Sequence, residues 1–154
     1  MIDLIQLESP PVLEIFDLWR ECGRFPEGMA LSEFEQTIIN GISFSLCKEK
    51  EVIGYFMLTN YVPLRQIQED LVVDPKFHGK WLNNGIMEKI VKTARYWAFE
   101  QLNVQRIVGF VEEDNTKSIK LTEKLGMNRE GTLMKYWFRD GEWRNVHAYA
   151  MVRA

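Results

Sequence analysis

The sequence predicts an α/β (α+β) domain, with a mixed, twisted sheet carrying helices on both faces around a central βαβ unit. Three observations predict it. The first is a β-type run at residues 67–73, a long helical pattern at 82–102 and an apolar, β-branched run at 104–111. Strand, helix and strand in that order make two parallel strands joined by a right-handed crossover. The second is Asp140-Gly141 between apolar runs at 130–138 and 143–152, a strong hairpin signal. The third is size and balance: 154 residues, 46% hydrophobic and 27% charged, suit one domain over residues 1–154 that buries its own core.

The remaining elements follow in order. Residues 1–8 read as an opening strand. Ser9-Pro10-Pro11 ends it and starts a helix whose apolar face is Val12, Ile15, Phe16 and Trp19, a helical spacing. Gly23 and Pro26 break that pattern, and Ser32 with Glu35 three residues on resembles a capping box for a short helix ending near Gly41. Residues 42–47 and 52–58 are β-type runs flanking Lys48-Glu49-Lys50-Glu51, which reads as a hairpin turn. Asp74-Pro75 stops the strand at 67–73. Ile86, Ile90, Ala94 and Trp97 mark one face of the long helix. Asn115 caps a further short helix that ends at Gly126.

Charge and cysteine content narrow the function. A formal net charge of -3 argues against a nucleic-acid partner, because neutralising phosphates needs clustered Lys and Arg. Cys22 lies in a polar setting and Cys47 in an apolar run, so no disulfide framework is expected and a reducing compartment is the default. MIDLIQLESP lacks a basic region followed by a long apolar run, and no stretch of about 18 apolar residues occurs. No membrane partner and a cytoplasmic location are the expectations. No His, Cys or acidic cluster has metal-ligand spacing, so no metal is expected. His147, in the last strand, reads as structural; Trp97, Trp137 and Trp143 read as core or as the lining of an acceptor groove.

Chemistry concentrates in DPKFHGKWLNNG, between the strand at 67–73 and the long helix. Free N–H groups of the first helical turn and the positive end of the helix dipole favour an anion there, and a diphosphate suits such a site. Gly79 and Gly85 permit close backbone approach. The segment is not a nucleotide P-loop, because the Gly-Lys-Ser/Thr ending is absent.

VVDPKFHGKW resembles the acetyl-CoA-binding motif of the GCN5-related N-acetyltransferase (GNAT) superfamily. EDNTKSIKLTEKLGMNREGTL resembles its later helix-and-strand motif, in the form found among relatives of the ribosomal-protein N-terminal acetyltransferases. The second match is the more specific, combining Asn115, Ser118, the Glu123-Lys124-Leu125-Gly126-Met127 ending, Glu130-Gly131 and the hairpin at Asp140-Gly141. The resemblance implies a GNAT-like fold and an N-acetyltransferase that moves an acetyl group from acetyl-CoA directly to an amine acceptor, a small molecule or a protein N-terminus. Homodimer formation is left open. It also implies a pantetheine arm between two splayed parallel strands, expected to separate beyond Val73 and Phe110, with a backbone N–H near Val73 facing the developing oxyanion.

Carried onto this sequence, the cofactor contacts fall on Val72, Val73, His78, Gly79, Lys80, Trp81, Asn83, Asn84, Gly85 and Asn115. His78, Trp81 and Asn83 stand where the family has Arg or Gln followed by two small residues. Thr122 stands where many members have a tyrosine acid, which makes Ser118 the expected hydroxyl beside the leaving sulfur. Glu69 and Glu112, with Asp70 and Glu113, are the candidate bases near the strand ends. These departures keep a second reading in play, a non-catalytic binding or assembly protein on the same fold.

Overall fold

The computed structural model describes residues 2–22, 29–78 and 85–154. Along them run β1 (Ile2–Leu7), α1 (Val12–Glu21), α2 (Leu31–Ile39), β2 (Ile42–Lys48), β3 (Glu51–Val62) and β4 (Gln66–Val73). A 3-10 turn at Pro75–Phe77 precedes α3 (Ile86–Leu102), β5 (Arg106–Glu112), α4 (Thr116–Lys124), β6 (Asn128–Arg139) and β7 (Glu142–Val152). The strands form one sheet in the order β1-β2-β3-β4-β5-β7-β6. Only β4 and β5 run parallel among these neighbours, and α3 connects them. That is the predicted βαβ unit in a mixed sheet.

Strand alternation divides the core into two layers. Successive strand side chains point to opposite faces, so Phe56 and Leu58 of β3 meet Val91, Ala94 and Ala98 of α3 and Leu125 beyond α4. Tyr55 and Met57 meet Ile15 of α1 and Phe34 and Ile38 of α2 on the other face. Helices therefore cover both faces, as expected. Phe34 is buried and meets Phe16 and Trp19 edge-on at 5.5 and 5.1 Å, so its truncation to alanine removes about 3–5 kcal/mol. The Tyr55 hydroxyl donates to Glu14 of α1 at 3.4 Å. Burial first, then the Glu14 carboxylate, pushes its pKa up to about 12, so it stays a donor that ties α1 to β3.

Two sequence expectations change. Ser32 is not an N-cap: α2 starts at Leu31, its N-cap is Ala30 with no side-chain bond, and the Ala30 carbonyl accepts from Glu33 and Phe34. Burying Phe34 and Ile38 against the sheet fixes where this helix begins, and Ser32 falls inside its first turn. β3 continues past Leu58 to Val62, because Thr59 and Val62 find partners in Gln68 and Gln66 of β4. The expected break at Gly23 and Pro26 and the start of the long helix at 82 lie outside the described residues.

β3 braces β4 closely. A Cβ at Gly54 would stand 2.4 Å from the Val72 carbonyl oxygen and 3.0 Å from the Val73 Cα, both backbone atoms of β4. Gly54→Ala is therefore expected to cost about 1–3 kcal/mol. The check is the urea midpoint of the purified variant against wild type, and an unchanged midpoint would show that β4 is free to shift.

Candidate active site

β4 and β5 share only a short ladder. Gln66, Ile67 and Gln68 pair with Arg106, Ile107 and Val108, and the pairing stops there. Residues 69–73 pair onward with β3, and residues 109–112 pair onward with β7. The strands thus part at Glu69 and Gly109, earlier than the expected separation beyond Val73 and Phe110. Met127 occupies part of the gap, with its Sδ 3.6 Å from where a Gly109 Cβ would be. Among the described residues no strand ladder joins 69–73 to 109–112, and backbone polar groups at such an edge take their partners from outside the sheet. An extended, amide-containing chain fits that requirement.

A cavity of about 690 Å³ occupies the opening and reaches both faces of the sheet. Val91 and Arg95 of α3 and Ser118, Leu121 and Thr122 of α4 line it on one side. Trp19 of α1 and Glu33 of α2 line it on the other, and Trp143 of β7 also borders it. The alternation that sends Ile67 and Leu71 toward α3, and Val72 toward α1 and α2, turns Glu69 to the α3 side and Asp70 to the α1 side. A group held between β4 and β5 is reachable from either face.

The two glutamates expected as bases are both engaged. Glu69 receives Arg95 Nε at 2.9 Å and Arg95 Nη2 at 2.5 Å, one on each carboxylate oxygen. Glu112 accepts Trp137 Nε1 and Arg139 Nε, both at 2.7 Å, on one oxygen and Arg139 Nη2 at 2.6 Å on the other. Burial by itself would raise the Glu112 pKa. The hydrogen bonds from Arg139 and Trp137, with the charges of Arg139 and Arg144, outweigh that and hold it below the usual carboxylate value. Asp70, on the other face, accepts Gln68 Nε2 at 3.0 Å.

The positions expected to contact cofactor are placed as follows. Val72 and Val73 are buried in the two core layers at the end of the open edge. His78 Nε2 lies 2.7 Å from the Val73 carbonyl, and since a carbonyl only accepts, that nitrogen carries the proton. His78 therefore pins the end of β4. Gly85 takes φ +70° immediately before α3, a left-handed conformation that glycine adopts without strain. Gly79, Lys80, Trp81, Asn83 and Asn84 lie outside the described residues. Asn115 caps α4 by accepting the Ser118 N–H at 3.2 Å, and Ser118 itself lines the cavity.

Sequence reasoning missed Arg95. It is 2% exposed and follows Ala94 on the buried side of α3, four residues after Val91 and three before Ala98. A lone charge on an apolar helix face was the available signal. Tyr136, also missed, lines the cavity and stacks on Phe110 with ring centroids 5.5 Å apart. Of the tryptophans, Trp137 and Trp143 line the cavity, while Trp97 packs edge-on against Phe44 in the core. His147 Nδ1 pairs with the Thr132 hydroxyl at 2.8 Å between β7 and β6. Among the described residues no helix is long and apolar enough to cross a membrane.

A parallel pair that parts in mid-sheet is what the motifs implied, although it parts earlier than expected. Residues 10–128 match the acetyltransferase (GNAT) domain model, and the chain belongs to that family. It is 31% identical to the spermidine N(1)-acetyltransferase of Escherichia coli over 53% of this chain and 42% of that enzyme, so the match spans under half of that relative's length. It is also 31% identical to an L-amino acid N-acetyltransferase of Escherichia coli over 70% of this chain and 64% of that protein. Its fold matches the crystal structure of spermidine N-acetyltransferase from Vibrio cholerae in complex with CoA and spermine. That match has a TM-score of 0.75, at 21% identity, covering 98% of this chain and 95% of the other.

The Glu112 anchor makes stability depend on pH with a definite sign. A carboxylate held below its unfolded value contributes stability fully present above that unfolded value, about 4.3, and lost as pH falls through the folded value. Wild type is expected to lose urea stability below about pH 4.3, and Glu112→Gln to lose less over the same range while starting from a lower midpoint at pH 7. Parallel slopes for the two proteins would remove Glu112 from the acid response.

Proposed function

We propose that this chain is an acetyl-CoA-dependent N-acetyltransferase whose acceptor is a slender amine bearing a second positive charge, of the polyamine type. The observation that carries it is the opening between β4 and β5, which joins two differently lined sides of one cavity. Bound there, acetyl-CoA supplies a thioester carbon open to attack by an amine. The stretches 69–73 and 109–112, which do not pair with each other, suit its amide-bearing arm.

This chain's residues divide the remaining work. Val72 and Val73 present the open backbone edge, and His78 holds its end in place. Gly85 and the N-terminus of α3 face the diphosphate, along with Gly79, Lys80, Trp81, Asn83 and Asn84 as the family resemblance assigns them. Asn115 fixes the first turn of α4, and with it Ser118 on the α3 side. The amine approaches from the α1 side, where Asp70 receives the proton that nitrogen loses as its bond to the acyl carbon forms. The carbon–sulfur bond breaks toward the α3 side, and the Ser118 hydroxyl donates to the departing sulfur. Glu69 and Glu112 have both oxygens occupied by cations, so they act as supports for the walls and Asp70 serves as the base.

Charge on the acceptor side favours a polyamine over an amino acid. Glu33 and Asp70 supply negative charge there, and Trp19 and Tyr136 offer aromatic faces to an alkylammonium. An amino acid would need a cation for its carboxylate. Among the described residues lining the cavity, the cation is Arg95, already committed to Glu69 and to the Leu125 carbonyl. The spermidine acetyltransferase relatives support the same choice.

Calorimetry with acetyl-CoA and thiol release with a panel of spermidine, short diaminoalkanes and L-amino acids test this reading. Saturable binding and faster turnover with the diamines are expected. No binding at millimolar acetyl-CoA would sink the donor assignment, and preference for L-amino acids would sink the acceptor assignment. Asp70→Asn is expected to lower kcat at least about 100-fold. Ser118→Ala should lower kcat with little change in the KM for acetyl-CoA, because its bond strengthens as charge develops on sulfur.

A further inference from the structure

An ion pair stands where β4 and β5 part. Arg95 grips Glu69, the first residue of the open stretch, through Nε at 2.9 Å and Nη2 at 2.5 Å. Its Nη1 donates to the Leu125 carbonyl at the end of α4, with the Met151 sulfur of β7 at 4.0 Å. Side-chain exposure is 3% for Arg95 and 10% for Glu69. Glu69 belongs to one wall of the opening. Leu125 belongs to the other, since α4 follows β5 and its cavity-lining residues Ser118 and Thr122 lie on that helix.

We propose that Arg95 is a positioning residue that sets the width of the acyl-donor cleft by strapping β4 to the end of α4 across the point of separation. The inference rests on the assignment of this cleft to acetyl-CoA. Between paired strands the ladder of backbone hydrogen bonds fixes the spacing, but residues 69–73 and 109–112 lack one with each other. The guanidinium takes its place. Its planar fork holds both carboxylate oxygens, which leaves the third nitrogen aimed in one direction. That direction meets a last-turn carbonyl, a group left without an intrahelical partner at a helix end. Both walls are thereby referred to one rigid plane. Arg95 touches neither reacting group, so it acts through Glu69 on β4 and through Leu125 on α4.

A purely structural role makes a different prediction. A buried ion pair that only satisfies its own charges can be replaced by apolar residues of similar volume with little loss. Lysine separates the two roles from another direction: it keeps the charge beside Glu69, but its single nitrogen cannot present the same fork and third donor. The experiment compares wild type, Arg95→Lys and the double variant Glu69→Leu/Arg95→Met. It measures thermal stability, deuterium exchange in the unliganded protein, kcat, and separate KM values for acetyl-CoA and spermidine.

Arg95→Lys is expected to lower kcat/KM for acetyl-CoA about 10- to 100-fold, the scale of a misplacement near 1 Å, with the KM for spermidine unchanged because the acceptor side is built from other residues. Amide exchange across 69–73 and 109–112 should rise in both variants. The double variant, which leaves no buried charge, is expected to remain folded and to show the same donor-side loss. Wild-type kcat and KM values in the double variant, whatever its stability, would overturn the proposal. So would unchanged exchange at 69–73 and 109–112 in Arg95→Lys. That second measurement needs no ligand and bears on the strap even if wild type fails to bind acetyl-CoA, an outcome that would instead remove the donor assignment.

Discussion

Everything distinctive in this molecule depends on three residues of parallel pairing that are not continued. After Gln68 and Val108, two strands that remain neighbours in one sheet stop bonding to each other. Left alone, such an opening would close or fill with disordered water, because unpaired backbone groups away from bulk solvent are costly. It stays open because each strand is held from its outer side. β4 is backed by β3 through Gly54, Tyr55 and Phe56, and β5 by β7 as far as Glu112 and Val146.

The supports are of different kinds. On the outer flank of β4 the fit is steric, with the Gly54 position in near contact with its backbone. Beyond β5 it is electrostatic. Glu112 gathers Trp137 and Arg139 from β6, and Arg144 of β7 reaches Asp114 at 3.2 Å. Their hairpin is thereby drawn against the end of β5 and places Trp143 at the cavity. At the end of β4 two side chains close on one carbonyl, His78 Nε2 at 2.7 Å and Cys22 Sγ at 3.4 Å from the Val73 oxygen. The walls are rigid for separate reasons, so weakening one need not release the others.

Much of the fold was legible in local patterns. The strand at 67–73, the helix after it and the strand to Val111 announced the βαβ unit, and Asp140-Gly141 announced the final hairpin with φ of 53° and 74° at its tip. Asn115 was recognisable as a cap because its partner is three residues away. What could not be read were contacts between distant residues. Glu69 and Glu112 were picked out as carboxylates near strand ends, but their cationic partners lie 26 and 27 residues away. Only the folded register shows that their oxygens are taken. The start of α2 was misread for a related reason: Ser32 and Glu35 match a local rule, whereas burial of Phe34 and Ile38 decided the outcome.

The opposed directions of Glu69 and Asp70 have a consequence for how this chain tolerates change. The two carboxylates are adjacent in sequence and separated by the thickness of the sheet, an assignment made solely by whether a position is odd or even along β4. Replacing either residue alters one side. Inserting or deleting a single residue between the β3–β4 turn and Val73 would invert the parity of all that follows, sending apolar side chains to the wrong layer and exchanging the two acids. Such frameshifts of the strand are closed to this chain as a route of variation. Point changes on α1, α2 and the hairpin leave the parity intact, so a lineage could redesign the α1 side of the cavity while inheriting the α3 side unaltered.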